Sequence, residues 1–261
     1  MLLGFYTKVK IRLIFYFRKS SCPNYNIAYI LKFNIFLETS FMAINVEFAD
    51  NPEPRCPVVL LLDTSGSMAG TPIQQLSAGV AAFKQETQQD TTASLRVEVA
   101  IITFDSAARL VQDFVTVDQF NPPNLQATGR TAMGQGIQMA LNKVESRKAE
   151  YKTNGVQYYQ PWIFMITDGA PTDNWQSAAQ QVRQFDADRK ISFFAVGVQG
   201  ANLGILSQIA PPNTPPIMLD GLKFVDLFRW LSDSMKRVSS SKVGSGMVSL
   251  PPTTGWASTS V

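Results

Sequence analysis

The stretch Val58-Val59-Leu60-Leu61-Leu62-Asp63-Thr64-Ser65-Gly66-Ser67 decides the fold. Its unbroken run of five apolar residues is typical of a strand that is buried on both faces of a parallel sheet. The polar loop that follows leads to Pro72, which suits the first turn of a helix. Apolar residues then recur at helical spacing, at Ile73, Leu76, Val80 and Phe83. The stretch therefore predicts a buried strand, a tight polar loop and an amphipathic helix.

Outward from this stretch, apolar runs and amphipathic segments alternate along the chain. Further strands are predicted at residues 95–104, 109–117, 162–167, 191–198 and 217–219. Of these, 109–117 is expected at an edge of the sheet. Helices are predicted at residues 72–88, 133–144, 175–185, 203–209 and 222–238. Regular alternation of strand and helix predicts a doubly wound α/β fold, in which helices flank a mostly parallel sheet.

Both ends of the chain differ in composition from this central domain, which we predict at residues 42–238. Residues 1–41 mix aromatic side chains with Lys and Arg and show no clean period, whereas Met42 opens a stretch that resembles an ordinary protein start. We interpret residues 1–41 as an extension outside the domain, either translated from upstream of the true start or forming a disordered arm. A basic aromatic segment that touches a membrane surface is the alternative. Residues 239–261 are rich in Ser, Gly and Pro and predict a tail, in which Trp256 either docks on the domain or is exposed.

The ionisable residues exclude several classes of function. The chain contains no histidine, which excludes a Ser-His-Asp triad, a histidine general base and a histidine-ligated zinc site. Basic residues outnumber acidic ones within residues 1–41, so the rest of the chain is slightly acidic and does not favour nucleic acid as a partner. Two cysteines are too few for a disulfide scaffold and fit a reducing, cytoplasmic compartment. Neither a signal peptide nor a membrane span is expected.

Side chains with oxygen atoms follow two predicted strands and precede one predicted helix. Asp63, Ser65 and Ser67 alternate after the first strand, so their side chains are expected on the same side. Asp168 follows the strand at 162–167, and Thr131 directly precedes a helix. Ligands of doubly wound sheets bind beside the carboxyl ends of the strands, where we expect these five side chains to converge. Five oxygens with two formal negative charges predict a divalent metal, Mg²⁺ first and Mn²⁺ or Ca²⁺ as alternatives, with a position left for a carboxylate of a partner.

The metal-ion-dependent adhesion site of von Willebrand factor A (vWA) domains resembles three segments of this chain, namely Asp63-Thr64-Ser65-Gly66-Ser67-Met68, Thr131 and Thr167-Asp168-Gly169. The likeness runs over residues 58–238, and the five ligand positions match without a departure. It implies a Rossmann-like sheet and a non-catalytic module whose metal engages an Asp or Glu of a partner protein. It also implies that Ser65 and Ser67 bind the metal directly and that Asp63 reaches it mainly through water. Thr131 and Asp168 would bind either directly or through water.

Other segments are similar to bacterial stand-alone vWA proteins that are linked to tellurite resistance (TerY-like). These segments are Thr131-Ala132-Met133-Gly134-Gln135-Gly136, Ile166-Thr167-Asp168-Gly169-Ala170-Pro171-Thr172-Asp173 and Leu250-Pro251-Pro252 with Gly255-Trp256. The similarity implies a role in a bacterial stress or tellurite response, beside a kinase and a phosphatase encoded nearby.

Two alternative functions belong to other classes. A metal-assisted phosphohydrolase would use Asp63 as its nucleophile, as haloacid-dehalogenase phosphatases do. Those enzymes need a second Asp two residues later, where this chain has Ser65. A scaffold whose metal is purely structural would lose stability, but keep its partner, when the metal is removed.

Several conspicuous residues have a structural interpretation. Asp173 is expected to cap the helix that it precedes rather than to serve as a sixth ligand. Asp105 is expected in a turn, and Arg130 in solvent, although it could meet an acidic group of a partner. Three aromatic residues at helical spacing are expected in the core, namely Phe224, Phe228 and Trp230.

Overall fold

The computed structural model describes residues 9–13, 35–39, 46–246 and 248–258. The chain divides into two compact units, Met1–Ala49 and Asp50–Val261. In the first unit, strand β1 (Val9–Leu13) pairs antiparallel with strand β2 (Ile35–Thr39), which the sequence did not predict. Helix α1 (Val46–Asp50) follows. The remainder of residues 1–41, on which the disordered-arm and membrane-surface interpretations bear, lies outside the described residues.

A seven-stranded sheet forms the centre of the second unit. Its strands are β3 (Cys56–Asp63), β4 (Val97–Phe104), β5 (Ala108–Thr116), β6 (Trp162–Thr167), β7 (Ser192–Gly197), β8 (Ile217–Leu219) and β9 (Ala257–Ser258). Their order across the sheet is β5-β4-β3-β6-β7-β8-β9. Pairing is parallel from β4 to β8, and the two edge strands β5 and β9 are antiparallel. The strand order reverses between β3 and β6, which confirms the doubly wound α/β fold.

Helices cover both faces of this sheet. They are α2 (Thr71–Gln88), α3 (Thr91–Arg96), α4 (Met133–Asn154), α5 (Gln176–Ala187), α6 (Leu203–Ile209) and α7 (Phe224–Ser240). Successive residues of β3 point to opposite faces. Val58, Leu60 and Leu62 pack with α2 and α7, whereas Val59 and Leu61 pack with α4 and α5. All five are fully buried, which explains why β3 is an unbroken apolar run.

Three aromatic residues of α7 lie in the core. Phe224, Phe228 and Trp230 are buried in the core formed by α2, α7 and the sheet, as expected. No helix within the described part of the chain is long and apolar enough to cross a bilayer.

Helix α3 corrects the predicted strand at 95–104. Leu95 and Arg96 belong to α3, and the strand begins only at Val97. The side chain of Asp90 caps this helix, because its Oδ1 accepts a hydrogen bond of 2.8 Å from the N–H of Ala93. A helix of six residues is too short to show a period, so its apolar Leu95 was assigned to the strand that follows.

Helix α4 corrects the predicted end at residue 144. It continues to Asn154 and ends at Gly155, whose φ of +70° is left-handed. Beyond Val144 its inward face consists of charged and polar side chains, of which Arg147 and Tyr151 are buried and bound to Glu98 of β4. Hydrophobic periodicity cannot detect a helix whose buried face is ionic.

The C-terminal residues lie against the second unit. β9 pairs with β8, and Trp256 is only 3% exposed, with its ring 5.3 Å from that of Trp230. Of the two alternatives for Trp256, the structure has the docked one. The segment predicted as a tail therefore supplies one edge of the sheet.

Candidate metal centre

The end of β3 holds Asp63 at the carboxyl edge of the sheet, without exposed surface. Its Oδ1 accepts a hydrogen bond of 2.8 Å from the backbone N–H of Ser65. Its Oδ2 accepts a hydrogen bond from the hydroxyl of Thr167, the last residue of β6. The carboxylate thus connects the two strands between which the strand order reverses.

Hydroxyl contacts continue from Ser65 to Asp168. The Oγ atoms of Ser65 and Ser67 lie 3.0 Å apart, and Ser67 Oγ donates a hydrogen bond of 2.7 Å to Asp168 Oδ1. Ser65 is buried, whereas Ser67 is exposed. The polar set therefore runs from the interior of the domain to its surface.

The loop before α4 brings Thr131 to the same edge. Its backbone is bonded to the loop after β3, because Gly66 N–H donates to Gly129 O over 3.1 Å and Thr128 N–H donates to Thr64 O over 2.8 Å. Gly129 has a φ of +74°, a conformation that favours glycine. A side chain at Gly129 would also collide with Ser106.

The surroundings of Gly169 show how closely the loops meet. A Cβ atom on Gly169 would lie 3.2 Å from Thr131 Oγ1 and 3.6 Å from Asp63 Oδ2. Both oxygens therefore face the same small space beside the residue that follows Asp168. The structure brings all five residues of the sequence prediction to one edge of the sheet.

The two carboxylates of this edge have no basic partner among the residues that the structure describes. Burial raises the pKa of Asp63, although hydrogen bonds from Ser65 and Thr167 act in the opposite direction. Burial also raises the pKa of Asp168, against the effect of the hydrogen bond from Ser67. No Lys or Arg of the described residues forms an ion pair with either carboxylate. A cation would supply the missing positive charge.

The donor atoms suit a hard cation. Hydroxyl and carboxylate oxygens are the ligands that Mg²⁺, Ca²⁺ and Mn²⁺ prefer. Within the described residues, no three His, Cys, Asp or Glu side chains are grouped to hold a metal. At this edge the hydroxyls of Ser65, Ser67 and Thr131 would have to complete the set, and a bound divalent cation would keep much of its charge.

The family model of the von Willebrand factor type A domain matches residues 58–220. The chain belongs to this family. The matched residues run from β3 to the end of β8 and include all three loops of the candidate site. In this vWA domain the carboxyl edge of the sheet is therefore built from the part of the chain that defines the family.

The solved structures that are similar to this vWA domain include a pilus adhesin and a von Willebrand factor type A protein. The pilus adhesin SpaC from Lactobacillus rhamnosus GG, in its open conformation, is 15% identical with a TM-score of 0.57, over 70% of this chain and 30% of that one. A von Willebrand factor type A structure from Catenulispora acidiphila is 16% identical with a TM-score of 0.53, over 70% of this chain and 43% of that one.

A third similar structure, a mutant of the PilB minor pilin from Streptococcus sanguinis, is 10% identical with a TM-score of 0.51, over 87% of this chain and 78% of that one. At these identities the likeness shows the fold alone. The present chain spans less than half of the SpaC and Catenulispora structures. No curated protein matches it.

The prediction that Asp173 caps the helix that it precedes is wrong. Its carboxylate accepts hydrogen bonds from the N–H groups of Gly134 (3.0 Å) and Gln135 (2.9 Å), so it caps the start of α4. Helix α5 has no side-chain cap at Trp175. Asp173 ties the segment after Asp168 to the helix after Thr131, which fixes two loops of the vWA site against each other.

Asp105 and Arg130 lie where the sequence predicted them. Asp105 sits in the turn between β4 and β5, where it accepts a hydrogen bond from Ala107 N–H and pairs with Arg109. Its backbone oxygen accepts a hydrogen bond of 2.7 Å from Ala132 N–H, so the turn also supports the loop of Thr131. Arg130 is exposed.

Sequence reasoning missed two threonines that support the site. Thr167 binds Asp63, and Thr172 exchanges two hydrogen bonds with the backbone of Thr131, over 3.2 and 2.9 Å. Thr167 carried a local signal, because it directly precedes Asp168 at a strand end. Thr172 carried none, because it is 41 residues from Thr131 in the chain.

Proposed function

We propose that this vWA domain is a non-catalytic binding module that holds a divalent cation on Asp63, Ser65, Ser67, Thr131 and Asp168. The observation that carries the proposal is the pair of carboxylates Asp63 and Asp168, which burial makes harder to ionise and which no basic residue of the described chain neutralises. An unpaired carboxylate in a buried place costs folding free energy. A bound cation would remove this cost.

Mg²⁺ is the cation that we propose, with Mn²⁺ and Ca²⁺ as alternatives. Mg²⁺ takes oxygen ligands in octahedral geometry and keeps several waters. Both oxygens of Asp63 already accept hydrogen bonds, which favours a contact through water for this residue. Ser65 and Ser67 would bind directly. A position held by water would then be open to an Asp or Glu side chain of a partner protein.

A phosphohydrolase with Asp63 as nucleophile is the competing function. Two observations argue against it: Asp63 has no exposed surface, and the second carboxylate that such an enzyme needs is replaced by Ser65. We expect no hydrolysis of phosphate esters or nucleotides with added Mg²⁺ or Mn²⁺. Turnover that disappears in Asp63→Ala would establish the enzyme in place of the binding module.

We further propose a cytoplasmic role in a bacterial stress or tellurite response, with a kinase or a phosphatase as the partner. Support comes from the similarity of residues 131–136, 166–173 and 250–256 to TerY-like proteins, and from the low number of cysteines. Identification of the captured partner tests this part of the proposal.

The decisive experiment is capture of partners from native lysate, with Mg²⁺ and with EDTA, followed by calorimetry on the captured protein. We expect three substitutions to lower the affinity for the partner by about tenfold or more each, namely Ser65→Ala, Thr131→Ala and Asp168→Ala. Each of them removes an oxygen that would bind the cation. Asp118→Ala is the matched control, since Asp118 is acidic and exposed and follows the end of β5 that pairs with the amino end of β4, away from the site.

The same experiment separates the binding module from the scaffold. Partner binding by the wild type should disappear in EDTA, while the fold persists because these side chains lie above the sheet. If the wild type keeps its partner in EDTA and only its melting temperature falls, the metal is structural and the scaffold is correct.

A further inference from the structure

The C-terminal segment, residues 248–258, forms contacts that the metal centre does not explain. After α7 the chain turns back along that helix, where Arg237 Nη1 donates a hydrogen bond of 3.3 Å to Ser249 O. Trp230 Nε1 then donates a hydrogen bond of 2.8 Å to Pro251 O. The segment thus crosses α7 and is bonded to it at two places.

Beyond α7 the segment reaches the edge of the sheet. Lys223 Nζ donates a hydrogen bond of 3.0 Å to Gly255 O, and Asp220 N–H donates one of 2.8 Å to Trp256 O. Strand β9 then pairs antiparallel with β8. The backbone bonds resemble those of a peptide that adds a strand to an exposed sheet edge.

An aromatic groove receives the side chain of Trp256. Its ring lies 5.3 Å from that of Trp230, which is in turn 6.5 Å from Phe194 and 6.3 Å from Phe164. Only 3% of the surface of Trp256 is exposed there. The groove is thus an apolar slot that accepts one large aromatic ring beside the edge of β8 that β9 covers.

The fit of Trp256 is incomplete in one respect. Its Nε1–H is buried and has no hydrogen-bond partner, which holds for no other buried side-chain nitrogen or oxygen among the described residues. A buried donor without a partner destabilises the docked state. When the group is released, water accepts its hydrogen bond and this cost disappears. The segment is therefore held by apolar contact, by the hydrogen bonds given above and by a two-residue strand, while the unpaired indole N–H favours its release.

The connection between α7 and this segment contains two exposed glycines. Gly244 and Gly246 have φ values of +79° and +92°, and both are exposed together with Ser245. A change of direction at these residues would leave the groove and residues 248–258 intact. It would also leave β8 with an unpaired edge, which attracts another strand.

We propose that the groove beside β8, where Trp230 receives the ring of Trp256, is a peptide-docking site whose resident occupant is residues 248–258, and that a second copy of this chain can supply the same segment in its place. Each copy holds both the groove and the matching segment, so exchange between two copies keeps every contact and changes only the connection at Gly244 and Gly246. This inference does not depend on the metal centre.

The docking site is tested with a fluorescent synthetic peptide of residues 248–258 and the full chain. Trp256→Ala weakens the resident segment, so this variant should bind the peptide at least about tenfold more tightly than the wild type. In the wild type the tethered segment competes at an effective concentration on the order of millimolar. Trp175→Ala, which changes a Trp on the opposite face of the sheet, is the matched control and should behave like the wild type.

Two results would overturn the docking site. One is equal peptide affinity for the wild type and Trp256→Ala. The other is no binding by a Trp256→Ala chain that melts cooperatively with the circular dichroism of the wild type. A peptide whose own Trp is replaced by Ala should bind neither chain, because it cannot fill the groove.

The second copy is tested on the wild type, which needs no substitution. Light scattering should show a dimer that increases with concentration, and native mass spectrometry should show mixed dimers after isotope-labelled and unlabelled chains are combined. Excess peptide should convert the dimer into monomer. A chain that stays monomeric at every concentration, or a dimer that the peptide does not affect, overturns exchange between copies.

Discussion

Buried carboxylates lie at both ends of the central strands, and their surroundings differ. At the amino end, Glu98 of β4 has no exposed surface and binds Arg55 at 2.8 Å and Arg147 at 2.9 Å, with a further hydrogen bond from Tyr151. At the carboxyl end, Asp63 binds only hydroxyl and backbone N–H groups among the described residues. Six residues of strand separate the two levels, or about 20 Å.

The difference indicates which carboxylates are structural. Glu98 and its two arginines form a complete buried network, whose charges are compensated within the fold. Asp63 and Asp168 have no such compensation among the described residues, and burial raises the pKa of both. A buried charge that the fold does not neutralise favours an external cation, whereas a neutralised one stabilises the protein only as long as all its partners remain.

Loss of Glu98 should have the largest effect on stability. Glu98→Gln removes the buried negative charge that Arg55 and Arg147 share, so the free energy of unfolding should fall by about 3–5 kcal/mol, as measured by urea denaturation. Glu150→Gln is the control, because Glu150 also pairs with Arg147 but its side chain is 41% exposed. Its effect should stay below about 1 kcal/mol. A Glu98→Gln loss as small as that of the control would mean that the network does not stabilise the fold.

Loss of Asp168 should have the opposite effect on stability when no metal is present. In EDTA, Asp168→Asn should unfold at the same or a higher urea concentration than the wild type, because it removes an uncompensated charge. With Mg²⁺ at about a hundredfold excess over its dissociation constant, the wild type should gain about 2.7 kcal/mol and Asp168→Asn much less.

Asp118→Asn serves as the control for this second comparison and should gain as much from Mg²⁺ as the wild type. If Asp168→Asn destabilises the protein in EDTA as strongly as Glu98→Gln does, the two ends of the sheet are alike. The carboxyl end would then be a structural network, and the comparison would fail.

The sequence predicted the carboxyl end of the sheet better than the amino end, for a physical reason. Asp63, Ser65 and Ser67 follow an apolar run directly, and the carboxyl ends of parallel strands meet at one edge, so local pattern and topology together place the site. The network at the amino end joins Arg55, Glu98 and Arg147, which are far apart in the chain. No local period marks a buried ion pair.

The same reasoning explains the remaining errors. Asp173 was assigned to the nearest helix, because capping is usually judged from chain neighbours, but it caps a helix that begins 40 residues earlier. Trp256 lies in a segment of turn-forming composition, and contacts with distant residues, such as Trp230 of α7, hold this segment on the domain. Contacts between distant parts of the chain cannot be derived from spacing.

Cys56, the first residue of β3 at the amino end, should have a smaller effect on stability. Burial, and then the charge of Glu98, raise the pKa of this thiol from 9.0 to about 12. Above about pH 9 the unfolded chain loses the thiol proton while the native chain keeps it, so stability falls as pH rises. At about pH 10 the loss should be roughly 1.4 kcal/mol.

The measurement is the difference in unfolding free energy between about pH 8 and about pH 10, for the wild type and for Cys56→Ala. The variant should lack this part of the decrease, whatever its absolute stability. Cys22→Ser, which removes the other thiol, should keep the decrease of the wild type. An equal decrease in Cys56→Ala and the wild type would show that the thiol ionises freely in the native protein.

Removal of residues 1–41 should have the smallest effect, and it tests an assumption on which the whole comparison rests. This extension carries an excess of basic residues, and a Lys or Arg beside Asp63 or Asp168 would neutralise that carboxylate. We expect that the extension does not do so, because it offers the domain no period or buried run. A chain that starts at Met42 should therefore keep the melting temperature of the full chain and its gain from Mg²⁺.

A loss of more than about 2–4 °C, equivalent to about 1 kcal/mol for a domain of this size, would show that the extension packs on the domain. A larger gain from Mg²⁺ in the shortened chain would show more specifically that basic side chains of the extension compete with the cation. In that case the carboxyl end is compensated as the amino end is, and the two differ only in whether the positive charge can be displaced.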